Sequence, residues 1–312
     1  MKTIAVTGGA GFIGATVVRD LLNKGYTVSV IDNLSRGKKE YLEGLDVRLQ
    51  QVDICVKDDI VAAMQGIDAV IHLAAYGSVV ESVEDPTMNF EINARGTLNV
   101  LQACVQNDVK KLVFSSTGGA LMGNTPPPVN ELSLPKPISP YGASKLACEG
   151  YINAFSTSYG LNSAICRFAN VYGPWSGHKL GVLTKYIKAL DAGENLLIYG
   201  DGKAERDFIH VSDLSHGIIS ALETNTLATD VFHLANAKGV TIRELAEALI
   251  AISGKENVKI DYLDKRVGEV EKNFADNSKA KRVLGFEPTY DLNDGLQEMW
   301  DWFMDNRDYW FD

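Results

Sequence analysis

The chain has 312 residues, room for about two packing units of the usual ~150 residues, and its 46% hydrophobic and 22% charged residues describe a folded globular protein. Thirty Lys plus Arg against forty Asp plus Glu leave a net charge of −10, which argues against nucleic acid and anionic membrane surfaces as partners. An anionic ligand would therefore need local basic residues. Cys55, Cys104, Cys148 and Cys166 show neither C-x-x-C spacing nor the density of a disulfide scaffold, so they read as buried thiols. The short apolar start runs directly into glycines, and no apolar run approaches the ~18 residues of a membrane span. A cytoplasmic protein is expected.

In chain order, the spans 3–6, 27–31, 47–52, 69–73, 111–115 and 163–167 read as strands. Between them, 12–23, 58–64, 88–106 and 141–159 carry the apolar spacing of helices. That alternation predicts an α/β fold, a Rossmann-type doubly wound parallel sheet. The proline-rich stretches 125–128 and 134–137 exclude a central strand or helix interior and predict a surface loop. After residue 168 the alternation loosens, with amphipathic helices predicted at 241–252 and 292–304. The expected division is a dinucleotide-binding domain over 1–168 and a smaller α/β substrate lobe over 169–312, with part of 203–235 packing back on the first.

The run TGGAGFIG at 7–14 follows a strand and opens a helix, and Gly9, Gly11 and Gly14 fit G-x-G-x-x-G. In that context the missing side chains permit a tight turn and let backbone amides approach a pyrophosphate at the helix N-terminus. Asp32 ends the second strand, eighteen positions beyond Gly14, where a carboxylate accepts from ribose hydroxyls and repels a 2′-phosphate. NAD is thus expected over NADP, with Arg36 read as a solvated loop charge. Asp53 and Ile54 close the third strand at the adenine edge, or Asp53 simply caps a loop.

Tyr141 and Lys145 lie four apart on one helical face, downstream of Ser115, Ser116 and Thr117 at a strand end. An ammonium beside a phenol is expected to lower its pKa and make it a general base, with the Thr117 hydroxyl orienting the proton. His72 and His210 read as satisfied structural residues. Scattered histidines without ligand spacing predict no metal.

Together with HLAA (72–75), NARGT (93–97), FSST (114–117), SPYGASK (139–145), RFANVYGP (167–174) and RDFIHVSD (206–213), these motifs span nearly the whole chain. In this order they resemble the extended short-chain dehydrogenase/reductases, specifically the NAD-dependent epimerase/dehydratase family and its UDP-glucose/UDP-galactose 4-epimerase-like members. The resemblance implies Tyr141 as base, Lys145 as ribose ligand and pKa depressor, and Thr117 as the bridging hydroxyl. It implies a cofactor groove formed by Gly8, Gly11, Phe12, Ile13, Asp32, Asn33, Asp53, Ile54, Leu73, Ala74, Ala75, Asn93, Ser115 and Phe168 with Tyr141 and Lys145. A nucleotide sugar would meet Ser78, Thr117, Tyr141, Asn170, Arg206, Arg266 and Asn273. On their own, Arg206 reads equally as a surface ion-pair partner and Asn170 as a turn cap. A homodimer through helices 88–106 and 141–159 is also implied.

Two positions depart from the resembling pattern: Gly77 stands where some members carry a cofactor-contacting lysine, and Met122 replaces a tyrosine, a change expected to reshape the pocket wall. Gly118 and Gly119 follow Thr117, where related dehydratases carry an Asp-Glu pair, and glycine does no acid–base work. The expected reaction is therefore 4-epimerisation of a UDP-hexose or UDP-N-acetylhexosamine through a transient 4-keto sugar with recycled NAD. The alternatives are a uronate 4-epimerase, a reductase or dehydratase of the same superfamily, or a non-catalytic NAD-sensing regulator. In the resembling 4-epimerases the residue before the aromatic-Ala-Asp triplet faces the sugar's C2 substituent, and a tyrosine there restricts them to glucose and galactose. The resemblance therefore implies that the smaller Asn273, able to donate to an acetyl carbonyl, admits N-acetylated sugars.

Overall fold

The computed structural model describes residues 2–225, 229–265 and 270–307. Its first half follows from short apolar strands that are buried on both faces and need helices on either side. Strands β1 (Thr3–Thr7), β2 (Thr27–Asp32), β3 (Arg48–Gln51), β4 (Ala69–His72), β5 (Lys111–Thr117), β6 (Asn162–Phe168) and β10 (Asp230–Leu234) form one parallel sheet in the order β10-β6-β5-β4-β1-β2-β3. Successive residues of β1 point to opposite layers. Ile4 and Val6 pack with α1 (Phe12–Asn23) and α9 (Val211–Glu223), while Ala5 packs with α5 (Gly96–Gln106) and α7 (Pro140–Tyr159).

The chain winds outward from β1 in both directions, through β2 and β3 on one side and β4, β5 and β6 on the other. The carboxyl ends of β1 and β4 therefore bracket a crevice at the switch point, where ligands of such sheets bind. Two elements return from beyond residue 203: α9 and β10 pack on or join the first sheet.

One helix differs from its expected extent. The span read as 88–106 begins earlier, because the Asp85 carboxylate caps α4 (Pro86–Phe90) by accepting from Met88 N at 2.8 Å and Pro86 fills the first helical position. A π-helical turn over Glu91–Arg95 then joins α4 to α5. The remaining helices of this half are α2 (Lys57–Ala63), α3 (Val79–Glu84) and α6 (Gly119–Met122). In α7, Ser139 caps the first turn and Gly160, at φ +70°, ends the last.

The second half gathers short strands from distant stretches. Strand β9 (Glu205–His210) is its centre, flanked by β7 (Asn170–Tyr172), β11 (Gly239–Thr241) and β13 (Lys272–Asn273). The register places Asn170 opposite Phe208 and Asn273 opposite Arg206. A separate core joins α8 (Val182–Ala192), α10 (Ile242–Ser253) and α12 (Leu292–Asp305) to this lobe, whereas α11 (Ser278–Leu284) packs on the first sheet through Ala280 and Leu284. A parallel pair, β8 (Leu196–Tyr199) and β12 (Ile260–Leu263), completes it. Among the described residues no helix is long and apolar enough to cross a membrane, and the four cysteines are free thiols.

Candidate active site

β1 delivers the chain into Gly8 at φ +70°, where a Cβ would stand 2.7 Å from Ala74 N. Only glycine tolerates both the conformation and that approach. Gly14 is tighter still, since its Cβ would lie 2.1 Å from Gly8 O, so α1 packs directly on the turn. No side chain caps α1 at Gly11, which leaves its first amides to a ligand in the cavity that Gly11, Phe12 and Ile13 line. Asp32 accepts from Ala10 N at 3.0 Å and Leu34 N at 2.8 Å, and burial raises its carboxyl above the ordinary value. These features fit a dinucleotide: an uncapped helix start, a glycine cradle and a buried carboxylate at the end of β2.

One cavity of about 1170 Å³ runs from this turn into the second lobe. Gly8, Gly11, Phe12, Ile13, Asp32, Asn33, Asp53, Ile54, Leu73, Ala74, Ala75, Ser115, Tyr141, Lys145 and Phe168 all line it. So do Ser78, Thr117, Asn170, Arg206 and Asn273, whereas Arg266 lies outside the described residues. Fifteen sequence-read positions and five more, separated by up to 265 residues from Gly8 to Asn273, thus share one wall.

Asn93 does not join them. The π turn carries it behind the cavity, where its amide accepts from Tyr76 N at 2.7 Å and donates to Tyr76 O and Ser144 Oγ at 3.2 and 3.0 Å. Both of its amide hydrogens and one acceptor site of its oxygen go to holding the wall together. Met122, expected to reshape the wall, is fully buried instead in an apolar cluster with Leu121, Val129 and Ala275. Gly77 does line the cavity, with open space around it.

α7 presents Tyr141, Lys145 and Glu149 on one face toward the sheet. Glu149 forms a bidentate pair with Arg167 at 3.0 and 2.7 Å and accepts from Ser116 Oγ at 2.6 Å, fixing the helix against β5 and β6. Lys145 Nζ donates to Ser115 O at 2.7 Å, and its burial pulls the ammonium down to about 8. The Tyr141 phenol departs from expectation. Burial pushes it up to about 12, a larger effect than the opposing hydrogen bond with the Thr117 hydroxyl.

His72 is held in the interior between Thr7 Oγ1 at 2.6 Å and Thr97 Oγ1 at 3.0 Å, as a satisfied structural residue. His210 is only half satisfied: Nδ1 caps α9 by accepting from Ser212 N, while Nε2 has no hydrogen-bond partner among the described residues and lies 3.8 Å from Glu298. Its ring stacks on Tyr290 at 3.8 Å.

Several lining residues escaped the sequence reading because irregular loops carry no periodic signal. Lys179 supplies a local cation, donating to Val171 O at 2.8 Å and standing 5.5 Å from the Phe12 ring. Leu197 and Tyr199, from the short strand β8, also line the cavity. Arg36, read as a solvated charge, is paired with Glu81 at 2.6 Å and lies 4.4 Å from the Tyr76 ring centroid.

A doubly wound sheet with a glycine turn at its switch point, and a Thr-Tyr-Lys set across one cavity from that turn, define a protein of the extended short-chain dehydrogenase/reductase class. Residues 4–235 match the NAD dependent epimerase/dehydratase family, and the chain belongs to it. It is 35% identical over 308 residues to a putative UDP-glucose 4-epimerase of Methanocaldococcus jannaschii, covering 97% of this chain and 99% of that one. The structure of UDP-glucose 4-epimerase from Thermotoga maritima with UDP-glucose superposes with a TM-score of 0.93 at 36% identity, covering 98% of this chain and 99% of that chain. UDP-N-acetylglucosamine 4-epimerase from Methanobrevibacter ruminantium, in complex with UDP-N-acetylmuramic acid, gives 0.91 at 35% identity, covering 97% and 98%.

Proposed function

We propose that the protein is an NAD-dependent UDP-sugar 4-epimerase. The observation that carries this reading is the company Thr117 keeps: Tyr141 and Lys145 share its cavity, and the next two residues are Gly118 and Gly119. Glycine offers no acid–base group at those two positions, so Tyr141 serves the sugar without an adjoining Asp-Glu pair to expel water.

In this reading NAD, when bound, supplies reversible hydride acceptance. Tyr141 takes the proton from the C4 hydroxyl and returns it, and Thr117 orients that hydroxyl. Lys145, anchored on Ser115 O, holds the ribose hydroxyls and places positive charge under the phenol. Asn170 and Arg206 flank the diphosphate from adjoining strands β7 and β9, with Lys179 adding a cation on the side of the dinucleotide turn. These offset the protein's net negative charge where an anionic ligand must sit. With that chemistry supplied by NAD, Tyr141 would return the proton to the C4 oxygen of a 4-keto sugar that had turned its other face, which would give the epimer.

Asn273 supports acceptance of N-acetylated sugars. Its amide nitrogen stands 3.0 Å from the position of a Cβ added at Gly119, so the residue borders the catalytic threonine's own turn with a short polar side chain. The test is product analysis. Purified protein given UDP-glucose, UDP-galactose and their N-acetylhexosamine and hexuronate counterparts is expected to interconvert the glucose/galactose and N-acetylhexosamine pairs without added NAD. A stable keto sugar or a dehydrated product would refute the reading.

The four free thiols fit a reducing cytoplasm. A homodimer through the helices of the α4–α5 stretch and α7 is supported by the exposed apolar side chains Phe90, Tyr151 and Tyr159. Light scattering is expected to report twice the chain mass at micromolar concentration, and a monomer would exclude that interface.

A further inference from the structure

The Arg36–Glu81 contact joins two segments that the sheet order keeps apart. Arg36 lies in the loop that leaves β2, and Glu81 lies in α3, beyond the end of β4. Since β1 sits between β4 and β2, a contact between those segments crosses the carboxyl end of β1. That end is the Gly8–Gly11 turn, with the uncapped start of α1 beside it. The contact therefore spans the dinucleotide crevice above the place where a pyrophosphate is received.

Both posts of the span are rigid. On one side, Leu34 N donates to Asp32 Oδ1 at 2.8 Å and Lys38 N to Ala10 O at 3.0 Å, stapling the loop at each end of a short arch. On the other, the Tyr76 backbone is pinned by Asn93 and by Asn89 Nδ2 at 3.1 Å, while Ser78 caps α3 by accepting from Glu81 N. Only side chains need to move for the span to open. The guanidinium meets Glu81 at 2.6 Å and the Tyr76 ring at 4.4 Å, with its side chain 42% exposed and that of Glu81 23%. A pair in such contact with water opens readily, whereas one buried like Glu149–Arg167 would not.

We propose that Arg36, Tyr76 and Glu81 form a clasp across bound NAD, and that opening of the Arg36–Glu81 pair limits how fast the cofactor leaves. The inference rests on the chain's membership of an NAD-dependent family and not on which sugar it turns over. A recycled cofactor benefits from a closed span, because each escape ends a series of turnovers. The arginine engages the Glu81 carboxylate across the crevice, and its assigned part is to close it.

The test follows release of NADH from the loaded full-length chain, read as loss of NADH fluorescence on mixing with excess NAD. Arg36→Gln and Glu81→Gln are each expected to accelerate release by about three- to tenfold, the range a part-exposed ion pair with ring stacking supports. The double variant is expected to release no faster than either single one. Salt is expected to speed release more steeply in the wild type than in the double variant. Unchanged rates in both single variants would overturn the clasp, as would additive effects. Slower release from Glu81→Gln would also overturn it, since that would mean Arg36, once freed, binds the cofactor directly. A chain that retains no NADH would count against the family's cofactor and the clasp together, while failed sugar turnover with the expected release rates would count against the epimerase reading alone.

Discussion

The dinucleotide half and the sugar half of the cavity are built in opposite ways. The first takes backbone from consecutive elements, β1, the glycine turn and α1, and its ligand is met mainly by amides that the helix start leaves without partners. The second takes side chains from β7, β9 and β13, which are drawn together around β9 from stretches about a hundred residues apart. A backbone site tolerates almost no added volume, whereas a side-chain site tolerates exchange and changes its selectivity. The two halves should therefore fail differently.

The largest effect is expected between them, at Tyr141. Tyr141→Phe removes the phenol that hydrogen-bonds the Thr117 hydroxyl and is expected to lower kcat by about 10²- to 10⁴-fold with NAD still retained, checked by turnover and cofactor content. Retained activity would break the assignment of the base. In the backbone half, Gly14→Ala forces a Cβ to within 2.1 Å of Gly8 O, a backbone atom that has no room to yield. A stability loss of about 1–3 kcal/mol or more, together with lost NAD binding, is expected in denaturant melts and cofactor assays.

In the sugar half the matching structural test is Asp207. This buried carboxylate ties β9 to the loop between β10 and β11 and to the stretch after β13 by accepting from Asn236 N at 2.9 Å, Ala237 N at 3.0 Å and Ala275 N at 3.4 Å. Asp207→Asn turns one acceptor into a donor facing those amides and is expected to cost about 1–3 kcal/mol. Burial pushes the Asp207 carboxyl up to about 7 from an ordinary 3.8. Between those values the folded protein holds a proton that the unfolded chain releases, so the contribution of this group is full below about pH 4 and is lost as pH rises through 7. The gap in melting temperature between wild type and Asp207→Asn is accordingly expected to be wider at pH 5 than at pH 8. A gap independent of pH would place the titration elsewhere.

The smallest effect sharpens the contrast most. Asn273→Tyr adds bulk beside Gly119 without touching the dinucleotide turn. It is expected to lower kcat/KM for the N-acetylhexosamine pair about tenfold more than for UDP-glucose and UDP-galactose, a difference of ~1.4 kcal/mol in transition-state binding, with NAD affinity unchanged. Equal losses on both pairs would show that Asn273 does not gate the pocket.

The two halves also differed in how much of them could be read before the fold was known. Strands β1, β2, β4, β5 and β6 announce themselves because both faces are buried, which leaves continuous apolar runs between turn residues. The strands of the sugar half are two to six residues long, and β13 has only Lys272 and Asn273, too few for any period to show. The direction of Asn93 is not legible for a related reason: a motif conveys that an asparagine is needed, but a π turn decides which way it points. Arg36 looked solvated because its partner lies 45 residues away, beyond any local pattern.

By itself the sequence determined the alternating α/β architecture, the glycine turn with Asp32 at the next strand end, and the Tyr141–Lys145 face, since each depends on neighbours within one or two turns of chain. Tertiary structure alone decided that Asn170, Arg206 and Asn273 meet on a common wall, that Lys145 Nζ is held by Ser115 O while burial raises the Tyr141 phenol, and that Arg36 reaches across the crevice to Glu81. Those outcomes depend on desolvation and on contacts between segments far apart in sequence, quantities that exist only once the sheet order has brought the segments together.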